Sequence, residues 1–358
     1  MPEEHETIEA RLSASPEVYH MARFEKAFPW LLAGGAALVL LETYRKNTND
    51  RAKANADIKA ALKNQEHQAE VLKEQIRQFD ENAFKERKAE RRERYTKAVE
   101  QLGDEKAPIR MGGVYTLVGL VDEWLEEKNL DYSERIKEGQ VIVNNLCAYI
   151  RSPFTLASHY DELSKDIPTG SYKDKEQDFY IDKAKLESEA DVRLSIIKEI
   201  HNRLQGTEEL PWGTWSDFEY VFSGSTFFYP VNLTKSYYKK PVNFGGSTYR
   251  SLAYFFHSTY RSLAYFVNST YHKSAHFGGS THQSWADFHN STYQGRADFP
   301  DSTYQGRADF RNSTYQDLAH FGDSTYQNKV YFNDSTYQSE ADFSGSIFYQ
   351  KVYFGADG

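Results

Sequence analysis

The chain has 358 residues, of which 39% are hydrophobic and 27% charged, and its formal net charge is −9. Its one cysteine, Cys147, excludes an internal disulfide framework and a metal site built from several thiolates. Residues 1–214 hold 32 basic and 40 acidic side chains, whereas residues 215–358 hold 11 and 12, so neither part has the basic surplus of a nucleic-acid-binding domain. The composition divides the chain in two, because 34 of its 54 aromatic residues lie after residue 219.

The chain begins with a polar segment and an apolar run. Residues 1–26 are rich in acidic side chains, and residues 27–41 have the sequence AFPWLLAGGAALVLL. At ~1.5 Å per residue this run spans roughly 22 Å as a helix, short of the ~30 Å hydrocarbon core of a bilayer. Aromatic and charged flanks extend its usable length, so we predict one membrane helix over 27–44. A buried helix of a soluble domain is the alternative.

The charges around this run predict an orientation. Basic residues follow the run more closely than they precede it, which by the positive-inside rule places the C-terminal body in the cytoplasm. We therefore predict a single-pass protein of the cell membrane. A cytoplasmic protein without a membrane helix is the alternative.

Residues 45–86 are predicted to form a long charged helix. Between residues 58 and 83, positions spaced alternately by four and three form the pattern of a coiled-coil seam. One interpretation is a coiled coil through residues 54–83 that makes the protein a homo-oligomer. The other is a solvated spacer between membrane and body. The seam positions are Ile58, Leu62, Gln65, Ala69, Leu72, Ile76, Phe79 and Ala83.

Residues 87–206 have the pattern of a compact α-helical module. Helix-breaking residues delimit four predicted helices, at about 87–102, 108–127, 135–151 and 176–205. Cys147 lies on an apolar face of the third helix, which predicts an ordinary core residue. We expect the polar segment 155–180 to be an inserted loop and residues 207–219 to be a linker.

From Tyr220 onward the chain is a gapless repeat of 11 residues, with units such as ADFPDSTYQGR. Twelve full units reach Lys351; position 6 is Ser in all of them, position 3 is Phe in eleven and position 8 is Tyr in nine. We predict that the position 3 rings form the core. In the third to twelfth units these are Phe244, Phe255, Phe266, Phe277, Phe288, Phe299, Phe310, Phe321, Phe332 and Phe343.

The repeat predicts a β-solenoid over residues 220–358. Its units consist of poor helix formers, which excludes a helical coil of the same period. Residues two apart share one face of an extended segment, so positions 1 and 3, and again 6 and 8, point inward. A buried Tyr hydroxyl needs a partner, which we expect from Ser or Thr near the corners. One coil holds either one unit or two.

Each unit consists of two five-residue blocks, A-D-F-x-x and S-T-Y-x-x, and one extra residue. Over residues 220–354 this resembles the pentapeptide-repeat family in a Phe-rich variant. The resemblance implies a right-handed, four-sided β-helix of six coils with two units each. The segments ERYTKAVEQLG (93–103), APIRMGGVYTLVGLVD (107–122) and VNNLCAYIRSPF (143–154) resemble the helical module of bacterial membrane-associated members, and 191–204 resembles its closing helix. The expected fold class is α+β multidomain, with a membrane or linker helix, a small α-helical bundle and a C-terminal β-solenoid.

Outward positions of the solenoid are where a partner would bind. Position 2 changes along the repeat from Tyr through His to Asp and back to His, which is either a recognition surface or variation among solvated positions. We predict no metal site, because the histidines occupy different unit positions: His257, His272, His276, His282 and His289. Position 9 provides a candidate ladder of amides: Gln283, Gln294, Gln305, Gln316, Gln327 and Gln338.

No catalytic or phosphate-binding motif is present in the sequence, so we expect a protein that is not an enzyme and takes no cofactor. The preferred function is a membrane-tethered scaffold that binds an unidentified protein partner. The alternative, implied by the family resemblance, is a DNA mimic that binds a topoisomerase or another DNA-binding protein. The almost neutral repeat disfavours a mimic, which needs a strongly negative rod, and nucleic acid itself is not an expected partner.

Overall fold

The structure is a computed structural model that describes residues 51–355. The chain divides into two units, Met1–Lys85 and Glu86–Gly358. Helix α1 (Arg51–Leu102) provides the described part of the first unit and continues into the second. The predicted membrane helix over 27–44 lies outside the described residues. Within residues 51–355, no helix combines the length and the apolar character needed to cross a bilayer.

The predicted coiled-coil seam lies on α1, and most of its apolar side chains are accessible to solvent. Leu62, Ile76 and Phe79 are 50%, 52% and 63% exposed. The segment is helical, as the sequence predicts. Assembly of two or more chains through this seam stays a prediction.

The second unit begins with the α-helical module, whose longer helices match the four predicted from the sequence. A capping box at Asp131 and Glu134 fixes the start of the third helix. The elements after α1 are α2 (Ala107–Glu126), α3 (Tyr132–Arg151), a 3-10 helix (Thr155–His159), α4 (Tyr160–Leu163), a second 3-10 helix (Gly170–Tyr172) and α5 (Glu176–Leu204).

Segment 155–180 is more ordered than the inserted loop expected from its polar composition. Its short helical turns bury Ala157, Leu163 and Tyr172 in the core of the module. These apolar residues are too few and too widely spaced to give a periodic signal in the sequence. Cys147 is 1% exposed, and burial raises the pKa of its thiol to about 12, consistent with a core residue.

The second half of the predicted linker 207–219 is packed, whereas residues 207–212 are exposed. Trp215 and Phe218 are fully buried, and the indole Nε1 of Trp215 donates to Asp122 at 2.8 Å. The guanidinium group of Arg151 donates to the carbonyl of Val221 in the first coil at 3.0 Å. The correction to the predicted linker follows from these aromatic side chains, which carry the hydrophobic core from the helical module into the solenoid.

The solenoid has four parallel sheets of two-residue strands, one sheet per side. The first sheet contains Tyr220–Val221, Val242–Asn243, Ala264–Tyr265, Ala286–Asp287, Ala308–Asp309, Val330–Tyr331 and Val352–Tyr353. The second contains Thr226–Phe227, Thr248–Tyr249, Thr270–Tyr271, Thr292–Tyr293, Thr314–Tyr315 and Thr336–Tyr337. The third contains Val231–Asn232, Ala253–Tyr254, Ala275–His276, Ala297–Asp298, Ala319–His320 and Ala341–Asp342. The fourth contains Tyr237–Tyr238, Thr259–Tyr260, Thr281–His282, Thr303–Tyr304, Thr325–Tyr326 and Ile347–Phe348.

Each coil contains two repeat units. Ala286 lies in register with Ala308 and with Ala264, so residues 22 positions apart are neighbours along the solenoid. This pairing confirms the four-sided arrangement of about six coils and excludes one unit per coil. Backbone N–H groups alternate in direction: that of Phe288 donates to Asp309 in the next coil, and that of Thr292 donates to Ser269 in the preceding one.

Stacked aromatic rings fill the interior. Position 3 rings stack on the equivalent ring of the next coil, as Phe266 does on Phe288 at 5.0 Å and 4°. Rings from the first and third sheets also meet edge to face, as Phe266 and Phe277 do at 5.0 Å and 78°. The Phe rings thus interlock along the axis, and the position 8 rings pack at their edges, as Tyr271 does on Phe277. Of the predicted core phenylalanines, those from Phe244 to Phe332 are at most 1% exposed, and Phe343 in the last coil is partly buried.

Position 6 serine forms a hydrogen-bonded ladder between coils. The hydroxyl of Ser291 accepts from the backbone N–H of Ser269 at 3.2 Å and donates to the carbonyl of Phe266 at 3.1 Å. The same pair of bonds recurs at Ser258 and at Ser313. Because one small hydroxyl satisfies two buried backbone groups, the ladder accounts for serine at this position from the third unit onward, whereas the hydroxyls of Ser225 and Ser236 in the first two units form no hydrogen bond.

The position 8 tyrosines do not find the Ser or Thr partners expected from the sequence. Within the described residues the hydroxyls of all nine lack a hydrogen bond; most of the neighbouring serine hydroxyls donate to backbone carbonyls, as Ser291 does to Phe266, and that of Ser236 is itself without a bond. Burial raises the pKa of these phenols, as at Tyr293, so they stay protonated. The nine are Tyr238, Tyr249, Tyr260, Tyr271, Tyr293, Tyr304, Tyr315, Tyr326 and Tyr337.

Each unit turns at position 5, where the backbone adopts positive φ in all twelve units. Gly, Asn and Asp tolerate this conformation best and occupy ten of these positions, with Lys235 and His257 as the exceptions. At Gly279 a Cβ would also lie 2.2 Å from Nδ1 of His257 in the preceding coil, so any other residue there requires this imidazole to move. The turns therefore depend on residue types that the core pattern alone does not reveal.

Replacing Phe299 by Asp is expected to unfold the surrounding coils. The Phe299 ring is fully buried between Phe277 and Phe321, and losing a buried Phe ring costs about 3–5 kcal/mol before any charge is buried. Because each coil contacts only its neighbours, protection from hydrogen exchange should fall most between residues 277 and 321. Gln305→Asp, at an exposed position, is the matched control. An unchanged melting temperature of Phe299→Asp would contradict this assignment of the core.

Replacing Tyr293 by Phe is expected to leave stability unchanged or to raise it. The ring keeps its stacking on Tyr271 and Tyr315, while a buried hydroxyl without a partner, which costs about 1–3 kcal/mol, is removed. Ser291→Ala in the same unit should lower stability by a similar amount, because the N–H of Ser269 loses its acceptor. Urea unfolding measures both. If Tyr293→Phe lowers the free energy of unfolding as much as Ser291→Ala does, the Tyr293 hydroxyl has a hydrogen-bond partner.

Candidate interaction surface

The outward residues at position 2 fall on two sides of the solenoid. Because a coil contains two units, alternate units contribute to different sheets, and the apparent gradient along the sequence separates into two columns. The histidine face, on the third sheet, consists of Tyr254, His276, Asp298, His320 and Asp342. The arginine face, on and beside the first sheet, consists of Trp285, Asp287, His289, Arg307, Asp309, Arg311 and Tyr331.

Histidines and aspartates alternate on the histidine face. Nδ1 of His276 lies 2.7 Å from Asp298, and the ring of His320 bridges Asp298 and Asp342 at 3.9 and 3.4 Å. Burial disfavours the charged form of Asp298, but hydrogen bonds from His276 and Arg296 outweigh this effect and place the pKa of the carboxyl below its ordinary value. The register of the third sheet therefore joins residues 22 apart into one polar ladder.

A groove of about 440 Å³ lies along the histidine face. The ring of Tyr254 stacks on His276 at 5.2 Å, and Phe256 packs against the edge of Tyr254 at 6.2 Å. The groove thus combines aromatic surface, imidazole rings, a guanidinium group and carboxylates. Its lining includes Tyr254, Phe256, His276, Arg296, Asp298 and His320.

The arginine face is held by ion pairs. Asp309 is fully buried beneath Arg307 and Arg311, each 2.6 Å from its carboxylate. Burial works against the charged carboxylate, but the bonds from Arg311 and Arg307 lower the pKa of Asp309. Arg307 also lies 5.0 Å from the Trp285 ring and 4.5 Å from the Tyr331 ring, in cation–π geometry. These charged side chains pair with one another within the solenoid, so the arginine face presents little net charge to a partner.

In the part of the chain that the structure describes, one group of possible metal ligands is found, and it lies on the arginine face. Oxygen or nitrogen atoms of Asp287, His289 and Asp309 lie within 4.8 Å of one another. A cation here would have to displace two guanidinium contacts from Asp309, and Asp287 is already bonded to His289. From the sequence we compared only the five histidines with one another and did not group His289 with these two aspartates. That no metal binds stays a prediction.

The predicted glutamine ladder is divided between two sides of the solenoid. Gln294, Gln316 and Gln338 follow the second sheet, whereas Gln283, Gln305 and Gln327 follow the fourth, and all six are exposed. Their backbone N–H groups join the coils, as that of Gln294 does to Tyr271 at 2.8 Å. Within the part of the chain that the structure describes, no side-chain hydrogen bond joins one of these glutamines to another; Gln283 accepts from Arg261 at 3.2 Å.

A second polar cluster lies in the helical module. Arg193, 2% exposed, donates to Glu189 at 2.7 Å and to the carbonyl of Ile150 at 2.8 Å. Arg110 and the Tyr149 hydroxyl reach the same carboxylate at 3.2 and 3.0 Å. The cluster borders a groove of about 300 Å³ and ties α2, α3 and α5 together, which favours a structural role.

The five histidines considered from the sequence occupy distinct environments. His276 and His289 belong to the two faces, His257 lies at a turn, and His272 occupies position 9. His282 takes the place of a core tyrosine, stacked between Tyr260 and Tyr304 at 4.6 and 4.9 Å. Both its ring nitrogens lack a hydrogen bond within the described residues, and burial lowers the pKa of His282 to about 3.

Comparison of the chain with family models, curated proteins and solved structures found no match. The class of the protein is therefore defined by its fold: an α-helical module followed by a β-solenoid repeat domain. The 11-residue period, the four sheets and the aromatic columns are compatible with the pentapeptide-repeat architecture that the sequence resembles.

The buried imidazole of His282 is expected to make the solenoid sensitive to acid. Between pH 6.5 and about 3 the unfolded chain holds this histidine protonated while the folded protein holds it neutral. The unfolded state then binds more protons, so the free energy of unfolding decreases as the pH falls through this range. The variant His282→Phe keeps an aromatic ring in the column and serves as the reference. Relative to this variant, the free energy of unfolding of the wild-type protein should fall by about 1.4 kcal/mol per pH unit below pH ~6. Urea unfolding of both proteins at pH 7, 6, 5 and 4 measures this difference. The same pH dependence in the two proteins would contradict a buried, neutral imidazole at His282.

Proposed function

We propose that the protein is a non-enzymatic scaffold that binds a protein partner along the histidine face of its solenoid. The groove along this face is the observation that carries the proposal. It offers aromatic rings, imidazoles, a guanidinium group and carboxylates along one side of a rigid rod. Such mixed chemistry is typical of surfaces that recognise proteins, and extended solenoid surfaces are commonly used for docking.

A non-enzymatic role is supported by the state of the reactive groups. The thiol of Cys147 is buried with a raised pKa, and the core tyrosines are held in their protonated form. The carboxylates of the two faces have lowered pKa values at Asp298 and Asp309, which suits ion pairing more than proton transfer at neutral pH.

Membrane tethering belongs to this proposal and depends on the sequence of residues 27–41. The run is apolar and uncharged, and it precedes the charged helix α1. Fractionation of cells that express the full chain, or a chain in which Leu31, Leu32 and Leu38 are replaced by Asp, tests the anchor. Recovery of both proteins in the soluble fraction would remove the tether and leave the scaffold function standing.

A photocrosslinking residue at Tyr254 tests the docking surface. We expect it to capture a discrete partner, because Tyr254 lines the groove. The same crosslinker at Gln294, exposed on the second sheet, is the matched control. Loss of the Tyr254 adduct in a His276→Ala background would support recognition by the histidine face. Equal capture from both positions, or capture from Gln294 alone, would contradict it.

The alternative of a DNA mimic receives less support from the charge distribution. The repeat, residues 220–358, has 11 basic and 10 acidic side chains, and the aspartates at position 2 are paired with Arg or His. A mimic needs a continuous negative surface to replace a duplex. Inhibition of gyrase supercoiling by micromolar full-length protein would reverse this preference.

A further inference from the structure

Helix α1 carries an apolar seam on which side chains are exposed although they are spaced for close packing. Leu62, Ile76 and Phe79 are at least half exposed. From residue 58 to residue 83 the seam is about 38 Å long, and it follows the a and d positions of a heptad repeat. The a positions are Leu62, Ala69, Ile76 and Ala83, and the d positions are Ile58, Gln65, Leu72 and Phe79.

Charges lie on the face opposite the seam and beside the seam. On the face opposite the seam, Arg77 forms ion pairs with Glu74 at 2.6 Å and with Glu81 at 2.5 Å. The charges that flank the seam at the e positions are exposed, and within the described residues they form no ion pair. These flanking residues are Lys59, Glu66, Lys73 and Asp80.

We propose that α1 binds a second copy of this chain as an antiparallel coiled coil centred between residues 70 and 71. In this register each small or polar residue of the seam faces a larger one, so no layer consists of two small residues. The layers are Leu62 with the partner's Phe79, Ala69 with the partner's Leu72, Ile76 with the partner's Gln65, and Ala83 with the partner's Ile58.

The flanking charges select the same register. In an antiparallel pair the e positions of the two helices face each other, so Lys59 meets the partner's Asp80 and Glu66 meets the partner's Lys73. By the dimer symmetry this gives four attractive contacts. A shift by one heptad in one direction brings Lys59 to the partner's Lys73, and a shift in the other brings Glu66 to the partner's Asp80. Both shifted registers are repulsive.

A parallel dimer has neither complementary layers nor attractive contacts between flanking charges. Its g positions are Ala61, Gln68, Gln75 and Asn82, so no charge faces the e positions of the partner. Its layers are made of identical residues, which places Phe79 against the partner's Phe79 and Ala69 against the partner's Ala69. Large layers then alternate with layers too small to fill the seam. This inference concerns α1 alone and does not depend on the scaffold function.

Crosslinking between two variants of the full chain, each with one introduced cysteine, tests the orientation. Ile58→Cys and Ala83→Cys are mixed and treated with a short bismaleimide; the native thiol of Cys147 is buried. The centred antiparallel dimer predicts a covalent dimer in the mixture and none with either variant alone, because identical positions lie about 38 Å apart. A monomer by light scattering, a covalent dimer from one variant alone, or no crosslink in the mixture would each overturn the proposal.

A charge swap tests the register. Lys59→Glu should weaken dimerisation about tenfold, because it converts two attractive contacts of the dimer into repulsive ones. Lys59→Glu combined with Asp80→Lys should restore the wild-type dissociation constant, and Lys63→Glu, away from the flanking positions, is the matched control. Sedimentation measures all three. Failure of the double variant to recover, with the control unchanged, would exclude this register.

Discussion

The structure of the solenoid depends on ring-on-ring stacking between coils. Phe and Tyr rings 22 residues apart lie 4.5 to 5.3 Å from each other in nearly parallel planes, at the spacing that backbone hydrogen bonds impose on parallel strands. Two-residue strands contribute too few hydrogen bonds to hold a sheet alone. The aromatic columns supply the apolar burial, and the serine ladder satisfies the backbone where the chain turns a corner.

Because the aromatic columns and the serine ladder occupy only the inward positions, the residue types at the outward positions can vary. Positions 1, 3, 6 and 8 are occupied by the core, whereas positions 2, 4 and 9 meet constraints only from neighbours on the same face. The two outward columns accordingly differ in chemistry. On the arginine face Asp309 forms ion pairs with two guanidinium groups. On the histidine face the side chains remain partly accessible beside a groove. The second is therefore the better surface for a partner.

At the position 8 tyrosines, the hydrogen-bond partner that we expected from the sequence is not found. A buried hydroxyl is expected to find a partner, and serine lies two residues before each tyrosine. In most units the serine hydroxyl instead donates to a backbone carbonyl of the neighbouring coil, as Ser291 does to Phe266, and this contact cannot be seen without coil-to-coil pairing. Likewise Trp215 and Phe218 lie within the predicted linker and are buried, which the sequence did not reveal because a short segment that joins the helical module to the solenoid has no periodic pattern.

The sequence alone determined the repeat, the inward positions and the main helices, since these follow from local spacing: period 11, two-residue alternation and helical periodicity. It did not determine which outward residues are neighbours. His276, Asp298 and His320 became one ladder, and Gln283 and Gln294 were separated onto different sides, only when pairing fixed 22 residues per coil. Contacts across coils depend on how many residues close one turn, and that number is set by the packing of the interior rings and not by any single unit.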